Sequence, residues 1–183
     1  MQNRVWRYYL LAIATVATLY FLMPPTTWSK LVLYNGIGLS SVIAIAVALR
    51  WQRPYNTRAW LFIGGGATSF LTADIVYYAL EALRDETPFP SPADAFYLGM
   101  YPLVIVGLLL LLRQAAPQRD VAGLIDAGLV AVATFAVLGI LVMDTYLTDD
   151  SLALAGRLIS IAYPVMDVAL ITVAARLIGA VHL

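Results

Sequence analysis

The sequence predicts an all-α fold, a polytopic transmembrane bundle of about six helices, and three observations carry that prediction. Of 183 residues, 62% are hydrophobic and only 12% charged, against roughly 25% charged in a soluble domain. The apolar residues collect into six long runs, mostly near the roughly 20 residues a helix needs to cross the hydrocarbon core. Between the runs stand proline, tryptophan and arginine, the residues expected at a membrane interface.

Helix one is expected over 8–23. Arg4 and Arg7 precede it, as in a signal peptide, but Pro24-Pro25 and Trp28 follow where a small-residue cleavage site would stand. The run therefore reads as a retained span. Helix two, over 31–49, carries Gly36, Gly38, Ser40 and Ser41. Small residues let helices approach closely in lipid, where hydrophobicity gives no driving force between them. Arg50, Trp51, Arg53 and Pro54 then read as an interfacial connection to Arg58 and Trp60. Helix three, over 59–83, holds Gly64-Gly65-Gly66 and, deeper, Asp74, Tyr77, Tyr78 and Glu81. Unpaired backbone groups cost too much in lipid for the glycines to break this helix, so they predict a tight crossing.

Helix four, over 93–112, has the clearest local grammar. Ser91 stands at the N-cap, Pro92 at the first helical position and Asp94 at the third, where a carboxylate can reach back to the cap as a variant capping box. Pro102 follows Tyr101 two turns later and predicts a bend, because it removes a backbone hydrogen bond and crowds the preceding turn. Helix five is expected over 121–146, with Asp126 near its start and Asp144 near its end. Helix six, over 152–179, repeats the motif as Tyr163-Pro164 and adds Asp167. The segments YPLVIVGLLLLLR (101–113) and YPVMDVALITVAAR (163–176) thus form a weak internal repeat, with Tyr-Pro at mid-helix and an arginine about three turns on.

Basic residues set the expected orientation. With the N-terminus inside, Arg4, Arg7, Arg50, Arg53, Arg58, Arg113, Arg119 and Arg176 fall at cytoplasmic ends, and only Lys30, Arg84 and Arg157 outside. Asp85, Glu86, Asp94, Asp144, Asp149 and Asp150 fall at or near external ends. Both termini are expected in the cytoplasm, in a multi-pass protein of the inner (plasma) membrane.

Asp74, Asp126 and Asp167 need the most explanation. A carboxylate at membrane depth costs about 2.5 kcal/mol or more and needs a partner or a proton. Asp74 and Asp167 read either as ligand or proton sites or as hydrogen-bonded fasteners between helices. Counted at about 1.5 Å per residue, they lie at different depths. Asp126 and Asp167 could share an inner site, and Asp74 could join Tyr77, Tyr78 and Tyr97 in an outer cluster. Asp126 and Asp94 read mainly as structural, the first suiting the start of its helix. Tyr101 and Tyr163 read as packing residues beside their prolines or as ligand contacts.

The motifs of the commoner hydrolase and nucleotide-binding classes are missing: the sequence has no HExxH, GxSxG or Walker loop. No cysteine is present and His182 is the sole histidine, so no metal site or cofactor is expected. The zero net charge gives no sign of nucleic-acid binding. No catalytic residue is assigned, and the chain is not expected to be an enzyme.

At PFPSPADAFYLGMYPL (88–103), LIDAGLV (124–130) and AYPVMDVAL (162–170) the chain resembles a multi-helix N-terminal membrane region of actinobacterial signalling proteins. There the region precedes cytoplasmic GGDEF and EAL domains, which make and degrade cyclic di-GMP, or in some cases a histidine kinase. The resemblance runs from about Tyr34 onward. It implies one domain, 1–183, acting as sensor or anchor, a homodimer through its membrane helices, a cytoplasmic output domain in cis, and a chain that is a fragment of a longer protein. No GGDEF or EAL motif occurs in this chain. The rival expectation is a fragment of a small transporter or permease, with Asp74 and Asp167 binding protons or substrate.

Overall fold

A computed structural model describes residues 5–22, 30–52, 54–84, 89–116, 121–140 and 153–182. Among these there are six α-helices and no strand. Helix α1 spans Val5–Leu22, α2 Asn35–Trp51, α3 Thr57–Arg84, α4 Pro92–Ala115, α5 Val121–Leu138 and α6 Leu154–His182. Arg4, Arg53, Asp85, Glu86, Arg119, Asp144, Asp149 and Asp150 lie outside the described residues, as do the side chains of Lys30, Arg84 and His182.

The chain is a membrane-embedded helical region: α2 together with the three residues before it (Val32–Trp51), and α3 to α6, are long and apolar enough to cross a bilayer. In α1 the apolar stretch is Trp6–Leu22. Five of the six helices among the described residues are thus long and apolar enough to span a membrane. A π-helical turn, Lys30–Tyr34, runs directly into α2, and the wide-turn geometry is one in which hydrogen bonds reach five residues back.

The packing is inverted relative to a soluble protein. Leu, Ile, Val and Phe dominate the exposed surface, while most of the buried residues are small or polar, among them Ala59, Ala73, Ala93, Ala127, Asn35, Asp74, Asp94, Ser160 and Arg176, with Leu71 and Tyr101 the larger exceptions. Lipid is as apolar as leucine, so burying leucine gains little there, and close approach of backbones gains more. Thr15, Thr18, Thr68, Thr72 and Thr172 each donate to the carbonyl four residues back, which satisfies their hydroxyls within their own helices.

The main interface is α3 on α4, and its contacts run antiparallel. Asn56 Nδ2 donates to the Leu110 carbonyl at 3.0 Å and Ser69 Oγ to the Phe96 carbonyl at 2.7 Å. Between them, Gly107 lies against Ala59 and Ile63, and Gly66 against Met100 and Val104. A Cβ on Gly107 would stand 2.6 Å from Ile63 Cγ1 and 2.9 Å from the Ala59 carbonyl oxygen. The glycine triad divides its duties: Gly66 meets α4, while Gly64 faces Ile45 of α2. On α2, Gly38 meets Leu71, so α2 and α3 are also antiparallel. Helix α4 packs in turn on α6, and α6 on α5. The spatial order is thus α2, α3, α4, α6, α5. Both Pro102 and Pro164 lie inside continuous helices.

Candidate functional site

The cap of α4 builds the site. Ser91 has the extended backbone of an N-cap, and its Oγ accepts from the Ala93 N–H at 3.2 Å. Asp94 Oδ2 accepts from the Ser91 N–H at 2.6 Å. The reciprocal arrangement satisfies donors that a helix start leaves free. Its sequel is tertiary: Asp94 Oδ1 accepts from the Tyr163 hydroxyl of α6 at 2.7 Å. One carboxylate therefore starts α4 and joins it to α6.

Two further bonds of the same kind follow along α4. Tyr97 donates to Asp74 Oδ1 of α3 at 2.5 Å, and Tyr101 donates to Asp167 Oδ1 of α6 at 2.7 Å. Asp94, Tyr97 and Tyr101 are spaced at i, i+3 and i+7, which aligns them along one side of the helix. Both Tyr-Pro tyrosines thus donate to an aspartate on the other Tyr-Pro helix. Numbers rise together across that interface, Asp94 to Tyr163 and Tyr101 to Asp167, so α4 and α6 are parallel. The weak repeat has become a reciprocal pair of hydrogen bonds. Tyrosine suits the task because its ring lies comfortably in an apolar setting while its hydroxyl reaches a carboxylate.

Around Asp74 and Asp94 is a cavity of about 380 Å³, at the end where α3 finishes and α4 begins, with Tyr77, Tyr78, Tyr97 and Ser91 in its wall. Tyr34, Phe70 and Phe89 complete it. The rings touch one another edge-on: Tyr77 with Tyr78 at 5.5 Å, Tyr34 with Tyr78 at 6.1 Å, Phe70 with Tyr97 at 5.4 Å. An apolar groove of about 450 Å³ between α2, α3 and α4 shares Tyr34, Phe70 and Asp74 with this cavity.

Asp126 and Asp167 are not brought to one site. Asp126 lines a cavity of about 100 Å³ with Gly123, Ala127 and Arg176, between α5 and α6, whereas Asp167 engages Tyr101. Spacing along two helices fixed their approximate depths but not the faces they present.

Sequence reasoning missed Tyr34, Phe70, Phe89 and Asn56. Phe70 precedes Asp74 by four residues and so shares its face, a signal that could have found it. Tyr34 and Phe89 have no such signal. Asn56 precedes α3, where its Oδ1 accepts from the Ala59 N–H at 3.2 Å as an N-cap, a pattern readable from Asn before an apolar run. Among the described residues, no group of three His, Cys, Asp or Glu side chains is placed to hold a metal. Chemically the site offers carboxylates, phenol hydroxyls and aromatic rings, a set suited to binding. No family model, curated protein or solved structure matches this chain.

Proposed function

We propose that this chain is the membrane-embedded sensory or anchoring region of a signal-transduction protein, lying upstream of a cytoplasmic diguanylate cyclase, phosphodiesterase or kinase domain. One observation carries the reading: three tyrosine–aspartate bonds join α3, α4 and α6 in series, beside a cavity lined by two of those aspartates. Occupancy of the cavity would act on Asp74 and Asp94, and through Tyr97 and Tyr163 on the packing of α4 against its neighbours. The discrete bonds give α4 and α6 two arrangements, made or broken, which is what a switch requires. Such a region works as a homodimer in the plasma membrane.

The topology proposed has both termini in the cytoplasm. It is supported by Arg50, Arg58, Arg113 and Arg176, which the antiparallel and parallel packing of α2, α3, α4 and α6 gathers at one end of the bundle, following the positive-inside bias. The cavity then faces the external side.

The reading frame beyond Leu183 and the output of the full-length protein test the proposal. A GGDEF, EAL or kinase sequence is expected downstream. Asp167→Asn and Tyr101→Phe in the full-length protein should change cyclic di-GMP turnover or phosphorylation while folded yield stays near wild type. Further hydrophobic spans ending in a stop codon, or wild-type output from both variants, would refute it. The first of these results would favour transport.

A further inference from the structure

We propose that the cavity at the Ser91 end and the apolar groove that adjoins it form one binding site for a monocationic amphiphile, with an ammonium head beside Asp74 and a short hydrocarbon tail between α2, α3 and α4. The inference deepens the sensory reading and rests on it for the consequence of binding.

Charge argues for the head. Asp74 is only 5% exposed, lines both spaces, and among the described residues is engaged through Oδ1 alone, by a neutral phenol. A carboxylate at membrane depth needs an opposing charge or a proton. The described residues lining the two spaces include no Lys, Arg or His. Asp94 differs, since both its oxygens are engaged. A carboxylate among the rings of Phe70, Tyr77, Tyr78 and Phe89 is the chemistry that recognises an organic ammonium, which is attracted to aromatic faces as well as to the charge.

Continuity argues for the tail. The groove meets the cavity at Asp74, and beyond it the wall turns to Ile37, Ile63, Leu71, Met100 and Val104. Nothing there would hold a charged head, so the order of head and tail is fixed. The two volumes, about 380 and 450 Å³, each fall within the span of ligand sites, about 300 to 1,000 Å³. A bare inorganic cation would use the carboxylate and leave the rings and groove without a role.

Isothermal titration calorimetry of the 183-residue chain in dodecyl maltoside tests this with four probes: hexyltrimethylammonium, tetramethylammonium, hexanesulfonate and 1-hexanol. Hexyltrimethylammonium should bind saturably and about tenfold or more tighter than tetramethylammonium, with no saturable binding of the anion or the alcohol. Asp74→Asn should weaken both cations about tenfold or more. Ser41→Phe, at an exposed position of the groove, should weaken hexyltrimethylammonium alone. Hexanol or hexanesulfonate binding as well as the cation would overturn the head assignment. So would displacement by potassium at equal concentration, or an unaffected Asp74→Asn. Equal affinity for the two cations, or an unaffected Ser41→Phe, would overturn the tail. Should Asp74→Asn fail to fold, the charge comparison on the native chain still decides. Binding without any effect on the full-length protein's output would instead refute the sensory reading and leave the site standing.

Discussion

Replacing Gly107 by alanine tests the idea that α3 and α4 are held by backbone proximity. The new methyl would stand 2.9 Å from the Ala59 carbonyl oxygen and 3.2 Å from the Ile63 nitrogen. An ordinary carbon–oxygen contact is about 3.4 Å, so the helices must part by about 0.5 Å at their crossing. Ile63 Cγ1, at 2.6 Å, belongs to a β-branched side chain whose χ1 a helix restricts, and the carbonyl belongs to the backbone and cannot turn away. Overpacking of this kind costs about 1–3 kcal/mol, offset by up to about 1 kcal/mol of better helix propensity. The net expectation is a loss of about 1–2 kcal/mol. Gly128→Ala is the matched control, because a Cβ there meets nothing within 4 Å. Unfolding of both variants by denaturing detergent, followed by circular dichroism, should show Gly107→Ala clearly less stable than wild type and Gly128→Ala equal or slightly more stable. A Gly107→Ala protein as stable as the Gly128→Ala protein would refute the close-crossing argument.

Tyr101→Phe should destabilise the bundle by about 1 kcal/mol, and a double-mutant cycle with Asp167→Leu should return a coupling of about 0.6 kcal/mol, the average for hydrogen bonds between membrane helices, and at most about 1.7 kcal/mol; additive effects would mean that the bond contributes nothing. Ser91→Ala should cost about 1 kcal/mol as a lost cap. Asp94→Ala should cost more, since it removes both the Ser91 N–H and the Tyr163 contacts, and equal losses in thermal melts would show that the Tyr163 bond is idle. Asn56→Asp should keep the cap on α3 but lose the donor to Leu110, while Asn56→Ala loses both, so stability should fall in the order Asn, Asp, Ala; the Asp and Ala variants melting together would remove the cap from the account.

The sequence by itself determined that this chain is helical and membrane-embedded, where most of its helices run, and how α4 begins. These properties follow from residues close together in the chain. Apolar runs of sufficient length leave the backbone no alternative in lipid, and Ser91, Pro92 and Asp94 act within a single turn. The sequence also marked Asp74, Asp126 and Asp167 as aspartates that need a partner or a proton, because the cost of an unpaired carboxylate in lipid does not depend on the fold, and it read Asp94 as part of a helix cap. What only the tertiary structure decided is which partner Asp74, Asp94 and Asp167 found. Tyr97, Tyr163 and Tyr101 lie 23, 69 and 66 residues from the aspartates they serve, and the chain has eleven tyrosines. Choosing among them requires the rotation of each helix about its axis and the order α2, α3, α4, α6, α5. Lipid supplies no hydrophobic force to fix that rotation; between α2, α3 and α4 it rests on where glycine lets two backbones meet, a property of pairs of helices that no single helix displays.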